Sequence, residues 1–162
     1  MAVTPGELLL LEASAVALQA ATGDPPYWFD PDADAVFVVD IPELKHLGEF
    51  GHGYFVHPGD TIYQVDTGCK FSISGDFLVT GARRYENSPE LPWDAGYVSL
   101  PDVRLKITQD IINALNQKEL VPALADRTAI VPSVANRNLL LDVDGWAVAQ
   151  VQFSFFFTEV IA

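Results

Sequence analysis

Three histidines, His46, His52 and His57, fall within twelve residues and are followed by Asp60 and Asp66. Imidazole and carboxylate groups are the usual ligands of zinc and related divalent ions, so metal chemistry is the first possibility to weigh. The stretch also holds Gly48, Gly51, Gly53 and Gly59, and this composition reads more simply as a mobile loop over 43–60 carrying solvated histidines, with at most a short extended piece at Tyr54 to Val56. Asp30, Asp32 and Asp34 alternate as the opening of a calcium loop does. Ala35 stands where that loop needs glycine, however, and Ile41 where it needs a bidentate glutamate, so the expectation is an acidic surface turn.

Other chemistries have less to offer. Gly48-x-x-Gly51-x-Gly53 is followed neither by Gly-Lys-Ser/Thr nor by a helix start, which a phosphate cradle requires. Cys69 is the lone cysteine, with no histidine placed beside it as a base, and is expected to be a buried or half-buried structural side chain. There is no Gly-x-Ser-x-Gly elbow, and the acids are scattered over turns. The segment HPGDTIY resembles the proline-glycine-aspartate turn of cupin barrels, which implies a metal-dependent enzyme using His52, His57 and Asp60. Cupins, though, place two histidines one residue apart with a glutamate soon after, and this chain does neither. The reading is therefore of a protein without catalytic, metal or cofactor residues.

Aromatic and arginine side chains suggest contact instead. Arg83, Arg84, Tyr85, Trp93 and Tyr97 crowd a proline-bearing stretch over 83–100 that reads as a second loop, and such residues are common interface anchors. The alternative is a lid folded onto the protein's own sheet. Tyr54 and Phe55 in the first loop, and Gln150, Gln152 and Phe156 in the last strand, complete the expected assembly interface.

The elements that position these residues are legible from spacing. Thr4-Pro5-Gly6-Glu7 carries the signals of a helix start, Gly23 of a stop, and Leu8, Leu11, Ala15 and Leu18 form one apolar stripe. Ala35 to Val39 is a β-branched and aromatic run, Ile62 to Val65 a short strand candidate, and Lys70 to Ala82 a long alternating strand with Phe71, Ile73, Phe77 and Val79 on one face. Gly75 on that face marks a bulge or the close approach of another backbone. Val103, Ile107, Ile111 and Leu115 make a second helical stripe, ending near Gln117. Arg127 to Val131 and Asn138 to Val143 are further strand candidates, and Asp144-Gly145 is a hairpin signal joining the latter to a long final strand, Trp146 to Ile161. Ala147, Ala149, Val151, Phe153, Phe155 and Phe157 share its core face, leaving Gln150, Gln152, Ser154 and Phe156 on the other.

The chain has 162 residues, 49% of them apolar and 19% charged, which fits one α+β domain over 1–162 with a mixed, mostly antiparallel sheet and two amphipathic helices on one face. With 22 acidic against 9 basic residues the formal charge is −13, which disfavours sequence-specific or broad nucleic-acid binding. One cysteine suits a reducing compartment, and no segment reads as a secretion signal or membrane span, so a soluble protein that keeps its N-terminus is expected.

In order and texture, a helix, short strands, FSISGDFLVTG, VRLKITQDIINAL and a closing DGWAVAQVQFSFFFTEV resemble the tail-terminator proteins of long-tailed bacteriophages over nearly the whole chain. The resemblance implies a non-enzymatic virion protein of the tail and neck, assembled in the host cytoplasm. It implies a homohexameric ring whose partners are the tail tube protein and neck, head-completion or sheath proteins, with DNA passing through the bore. A head-completion or neck protein on a similar scaffold is the nearest alternative.

Overall fold

Alternation over residues 70–82 does make a strand, and its phenylalanines meet those of the last strand: Phe77 and Phe153 stack with ring centroids 5.2 Å apart. The computed structural model describes residues 5–21, 27–31, 33–48, 50–84, 100–139 and 146–160. Among these, helices α1 (Gly6–Gln19) and α2 (Leu100–Leu115) accompany strands β1 (Val36–Val38), β2 (His52–Thr67), β3 (Lys70–Arg84), β4 (Ser133–Leu139) and β5 (Trp146–Val160). The strands form one sheet in the order β1-β2-β3-β5-β4, parallel between β1 and β2 and antiparallel elsewhere. The fold is α+β, as composition and patterning suggested.

Both helices lie on one face. Helix α1 packs on β1 and β2, α2 packs on β3, β5 and β4, and the helices touch each other. Val103, Ile107, Ile111 and Leu115 are all buried, one side chain per helical turn, against Tyr54, Ile73, Val79 and the odd-numbered residues of β5 from Ala147 to Phe157. The α1 stripe is shifted from the expected one: Leu10, Leu11, Ala15 and Leu18 are buried while Leu8 is exposed. Pro5 caps this helix with no side-chain hydrogen bond, and the helix ends at Gln19; Thr4 and Gly23 lie outside the described residues.

The largest correction concerns 43–60. Far from being a loop, this stretch is a 3-10 turn, Leu44–Leu47, followed by the first nine residues of β2, and the expected short strand at Ile62 to Val65 is the same strand continuing. Six consecutive residues, His52 to His57, are buried because β2 is covered on both faces there. The helix side takes Tyr54 and Val56, while Phe55 joins a smaller cluster with Ala35, Leu47, Ala82, Trp146 and Val148 under the 3-10 turn. Gly53 fits because the Ala35 carbonyl and the Leu47 side chain press where a Cβ would stand.

Gly75 sits as its position suggested. A Cβ there would come within 2.5 Å of the Asp60 carbonyl oxygen, and the β2 register slips between Pro58 and Thr61 directly opposite. Residues 83 and 84 end β3 instead of opening the second expected loop, and the rest of that stretch, 85–99, lies outside the described residues. Arg127 to Val131 makes isolated bridges, Leu124 to Arg127, Val121 to Ile130 and Arg127 to Glu159, instead of a strand. β4 begins at Ser133, earlier than the expected Asn138. It is antiparallel to β5 as a hairpin requires, while residues 140–145, with Asp144-Gly145, lie outside the described residues.

Candidate functional site

Because side chains alternate along β2, His52 and His57 point to opposite faces of the sheet. His52 lies on the helix side, where its Nε2 is 3.0 Å from the Tyr54 hydroxyl. His57 lies on the other side, 3.0 Å from the Thr80 hydroxyl, to which the Gln150 amide also donates at 3.1 Å. His46 stands on the 3-10 turn beside Phe37 and Phe55. The three rings cannot converge on one ion, which removes the cupin-like arrangement of His52, His57 and Asp60. No group of three or more His, Cys, Asp or Glu is placed to hold a metal among the described residues. The picture of solvated histidines is corrected too, since His52 and His57 are buried and only His46 is exposed.

The helix-side end of β2 and β3 carries a buried polar cluster. Asp110 on α2 accepts the backbone N–H of Trp28 at 2.8 Å and of Phe29 at 3.0 Å, holding residues 27–29 against the sheet. Phe29 in turn stacks under the Arg83 guanidinium, 4.0 Å from its ring centroid, and tilts against His52 at 5.4 Å. Burial pushes His52 down to about 3, with the nearby Arg83 charge adding to the effect, so the imidazole is neutral at physiological pH. The same desolvation raises the Tyr54 hydroxyl and the Asp110 carboxyl, the latter opposed by its two amide donors and Arg83. These groups are sealed: His52, Tyr54 and Asp110 are each under 5% exposed. Their chemistry is that of a buried latch tying 27–29 to α2.

The opposite sheet face is different. Beyond the small cluster under the 3-10 turn, β3 and β5 present Leu78 with Gln152, Asp76 with Ser154, Ser74 with Phe156 and Ser72 with Thr158 as facing pairs. Ile62 of β2 extends the Ser74 and Phe156 row. Phe156 is 59% exposed and Ile62 68% exposed, while Gln150 and Gln152 are half-buried. Among the described residues nothing covers this broad face, which is polar with two large apolar side chains at its far end.

At the same end the hairpin of β2 and β3 turns at Gly68 and Cys69, and β2 from Ile62 to Thr67 is exposed throughout, including Tyr63 and Val65. Cys69 is exposed on this turn, against the expectation of a buried cysteine. The Tyr63 hydroxyl donates to the Glu7 carboxylate of α1, and partial burial, then that hydrogen bond and the Glu7 charge, push it up to about 12. Beside β5 an open groove of about 380 Å³ lies between Leu124 to Thr128, Thr158 to Val160 and Lys70, with Arg127 and Glu159 buried in its wall. Burial raises the Glu159 carboxyl and Arg127 counters it.

Of the residues expected to form an assembly interface, Gln150, Gln152 and Phe156 share the uncovered face as anticipated. Tyr54 and Phe55 do not belong there, because both are fully buried, one on each face of β2. Arg83 is half-buried on the helix side, and Arg84 is exposed, its guanidinium 4.5 Å from the Trp146 ring centroid and donating to the Gly48 carbonyl. Tyr85, Trp93 and Tyr97 lie outside the described residues. Sequence reasoning missed Ile62, Tyr63 and Val65 as surface residues, although IYQV between two turn-forming segments alternates in polarity only weakly, which is the mark of a strand with no covered face. No family model and no curated protein matches the chain. No helix among the described residues is long and apolar enough to cross a membrane.

Proposed function

We propose that the chain is a structural subunit that assembles with copies of itself into a ring and caps the tail tube of a long-tailed bacteriophage, joining tail to neck. The observation that carries the self-assembly is the far end of the sheet, where Ile62, Tyr63, Val65 and Phe156 are all more than half exposed on elements otherwise well packed. A lone exposed apolar residue is ordinary, but here Ile62 and Phe156 flank Ser74 on the open face while Tyr63 and Val65 stand on the other face of the same strand end, an apolar rim suited to a protein partner. The tail role rests on the resemblance in element order. The acidic surface supports it, since six subunits at −13 each would line a bore that repels DNA and lets it pass.

Purified chain added to growing tail tubes tests the reading. It predicts that one end of each tube is closed and that elongation stops. Tubes that keep growing while the protein binds phage heads would favour the head-completion alternative, and no binding to either would refute both.

A further inference from the structure

β1 covers β2 only from Tyr54 to Val56, with one more bond from the Val39 N–H to the Val56 carbonyl. Past His57, β2 pairs with β3 on one side and with nothing on the other among the described residues. The sheet has a second edge at β4, which pairs as a strand only with β5 among the described residues, although its Val134 N–H donates to Asn116 Oδ1 and its Arg137 N–H to Asn136 Oδ1. Monomeric proteins generally blunt bare edges with charges, proline or bulges. Here Pro58 and the bulges at Pro58/Thr61 and Val65/Thr67 leave a regular ladder from Thr61 to Val65 that ends in exposed apolar side chains.

The two edges differ in charge. β2 beyond His57 carries Asp60 and Asp66 and no base, whereas β4 carries exposed Arg137 and no acid. Arg137 makes no ion pair among the described residues. Like-with-like pairing is therefore disfavoured: two β2 edges joined antiparallel about Tyr63 would set Asp60 of one copy opposite Asp66 of the other. Two β4 edges would bring arginines together. The unlike pairing matches charge. It also matches direction, because each step from β2 to β3 to β5 to β4 reverses the strand, so a copy that continues the sheet presents β4 antiparallel to β2.

We propose that a second copy of this chain adds its β4 edge to the bare β2 edge from Thr61 to Val65, pairing Arg137 with the Asp60 and Asp66 side. This contact is head-to-tail, the kind that closes into a ring or runs on as a filament, and never a two-fold dimer. The inference deepens the ring reading above and rests on its claim of self-assembly, naming the surface that makes it.

Charge reversal tests it by sedimentation equilibrium at low salt. The wild-type chain should self-associate. R137E, acidic on both edges, and the double variant Asp60→Arg with Asp66→Arg, basic on both, should each weaken association at least about tenfold, because same-sign charges then face each other. An equimolar mixture of the two variants should associate again, since every edge regains an opposite partner. All three positions are exposed, and thermal unfolding confirms that each variant is folded. A wild-type chain that stays monomeric, variants that associate as tightly as wild type, or a mixture that fails to recover would each overturn the proposal. A wild-type chain that associates through these edges yet leaves tail tubes uncapped would sink the tail-terminator reading alone.

Discussion

The two faces of the sheet are made from the same strands and have opposite fates. On the helix side Ile73, Phe77, Val79, Val151, Phe153 and Phe157 are at most 1% exposed, and the rings of Phe77 and Phe153 stack. On the other side, among the described residues, only the end under the 3-10 turn is covered, where Leu47 packs with Phe55, Ala82, Trp146 and Val148, and the rest runs out through Gln150 and Gln152 to exposed Ile62 and Phe156. One face holds the subunit together. The other leaves apolar area unused by the subunit, the area on which the proposed self-assembly rests.

Substitutions on the covered face should be the most damaging. Phe153→Ala removes a fully buried ring from the centre of the stack and should cost about 3–5 kcal/mol in urea unfolding. A cost near zero would mean that this face is not the core.

Acid should act next, through the latch at the end of that face. His52 is held down to about 3 against an unfolded value near 6.5, so the native state refuses a proton that the unfolded chain accepts. Its contribution is unchanged above the unfolded value and turns against folding as pH falls below it, by about 3 kcal/mol at pH 4. His57, also lowered by burial, acts in the same direction. Asp110, raised by burial, acts oppositely, softening the loss as pH falls through its raised value. Unfolding midpoints at neutral and mildly acid pH should show the decline, and His52→Gln should flatten it. An unchanged slope in that variant would place the acid sensitivity elsewhere.

Asp110→Ala is expected to cost about 1–3 kcal/mol, because the amides of Trp28 and Phe29 lose their acceptor. Faster hydrogen exchange confined to residues 27–29 and their neighbours would be its signature.

Much of the covered face was legible because one period dominated each element. Phe71 to Val79 alternates, Val103 to Leu115 repeats every turn, and the odd residues of β5 from Ala147 to Phe157 are uniformly apolar; each pattern reports a single buried side. β2 was missed for the opposite reason. From His52 to His57 it is buried on both faces, so no alternation survives, and Gly53, Pro58 and Gly59 answer to a pressing carbonyl and a bulge that local reading takes for a loop. From Ile62 onward it is exposed on both faces, which also leaves no period. The split of His52 from His57 across the sheet follows from strand parity and was hidden once the stretch was taken for a loop. The pairing of β1 with β2 and the separation of the two edges are long-range facts that no window along the chain contains.

On the open face, Ile62→Ser with Phe156→Ser should change unfolding of the isolated subunit by only about 0.5 kcal/mol, since both side chains already meet solvent. Small as that is, it sharpens the comparison most, because the same variant should lose association.

Sedimentation of the wild-type chain beside that double variant, across a wide range of concentration, tests the central claim most directly. Wild type should sediment as multiples of the 17.7 kDa subunit and the variant as a folded single subunit. A wild-type chain that remains a 17.7 kDa monomer at every concentration would contradict it.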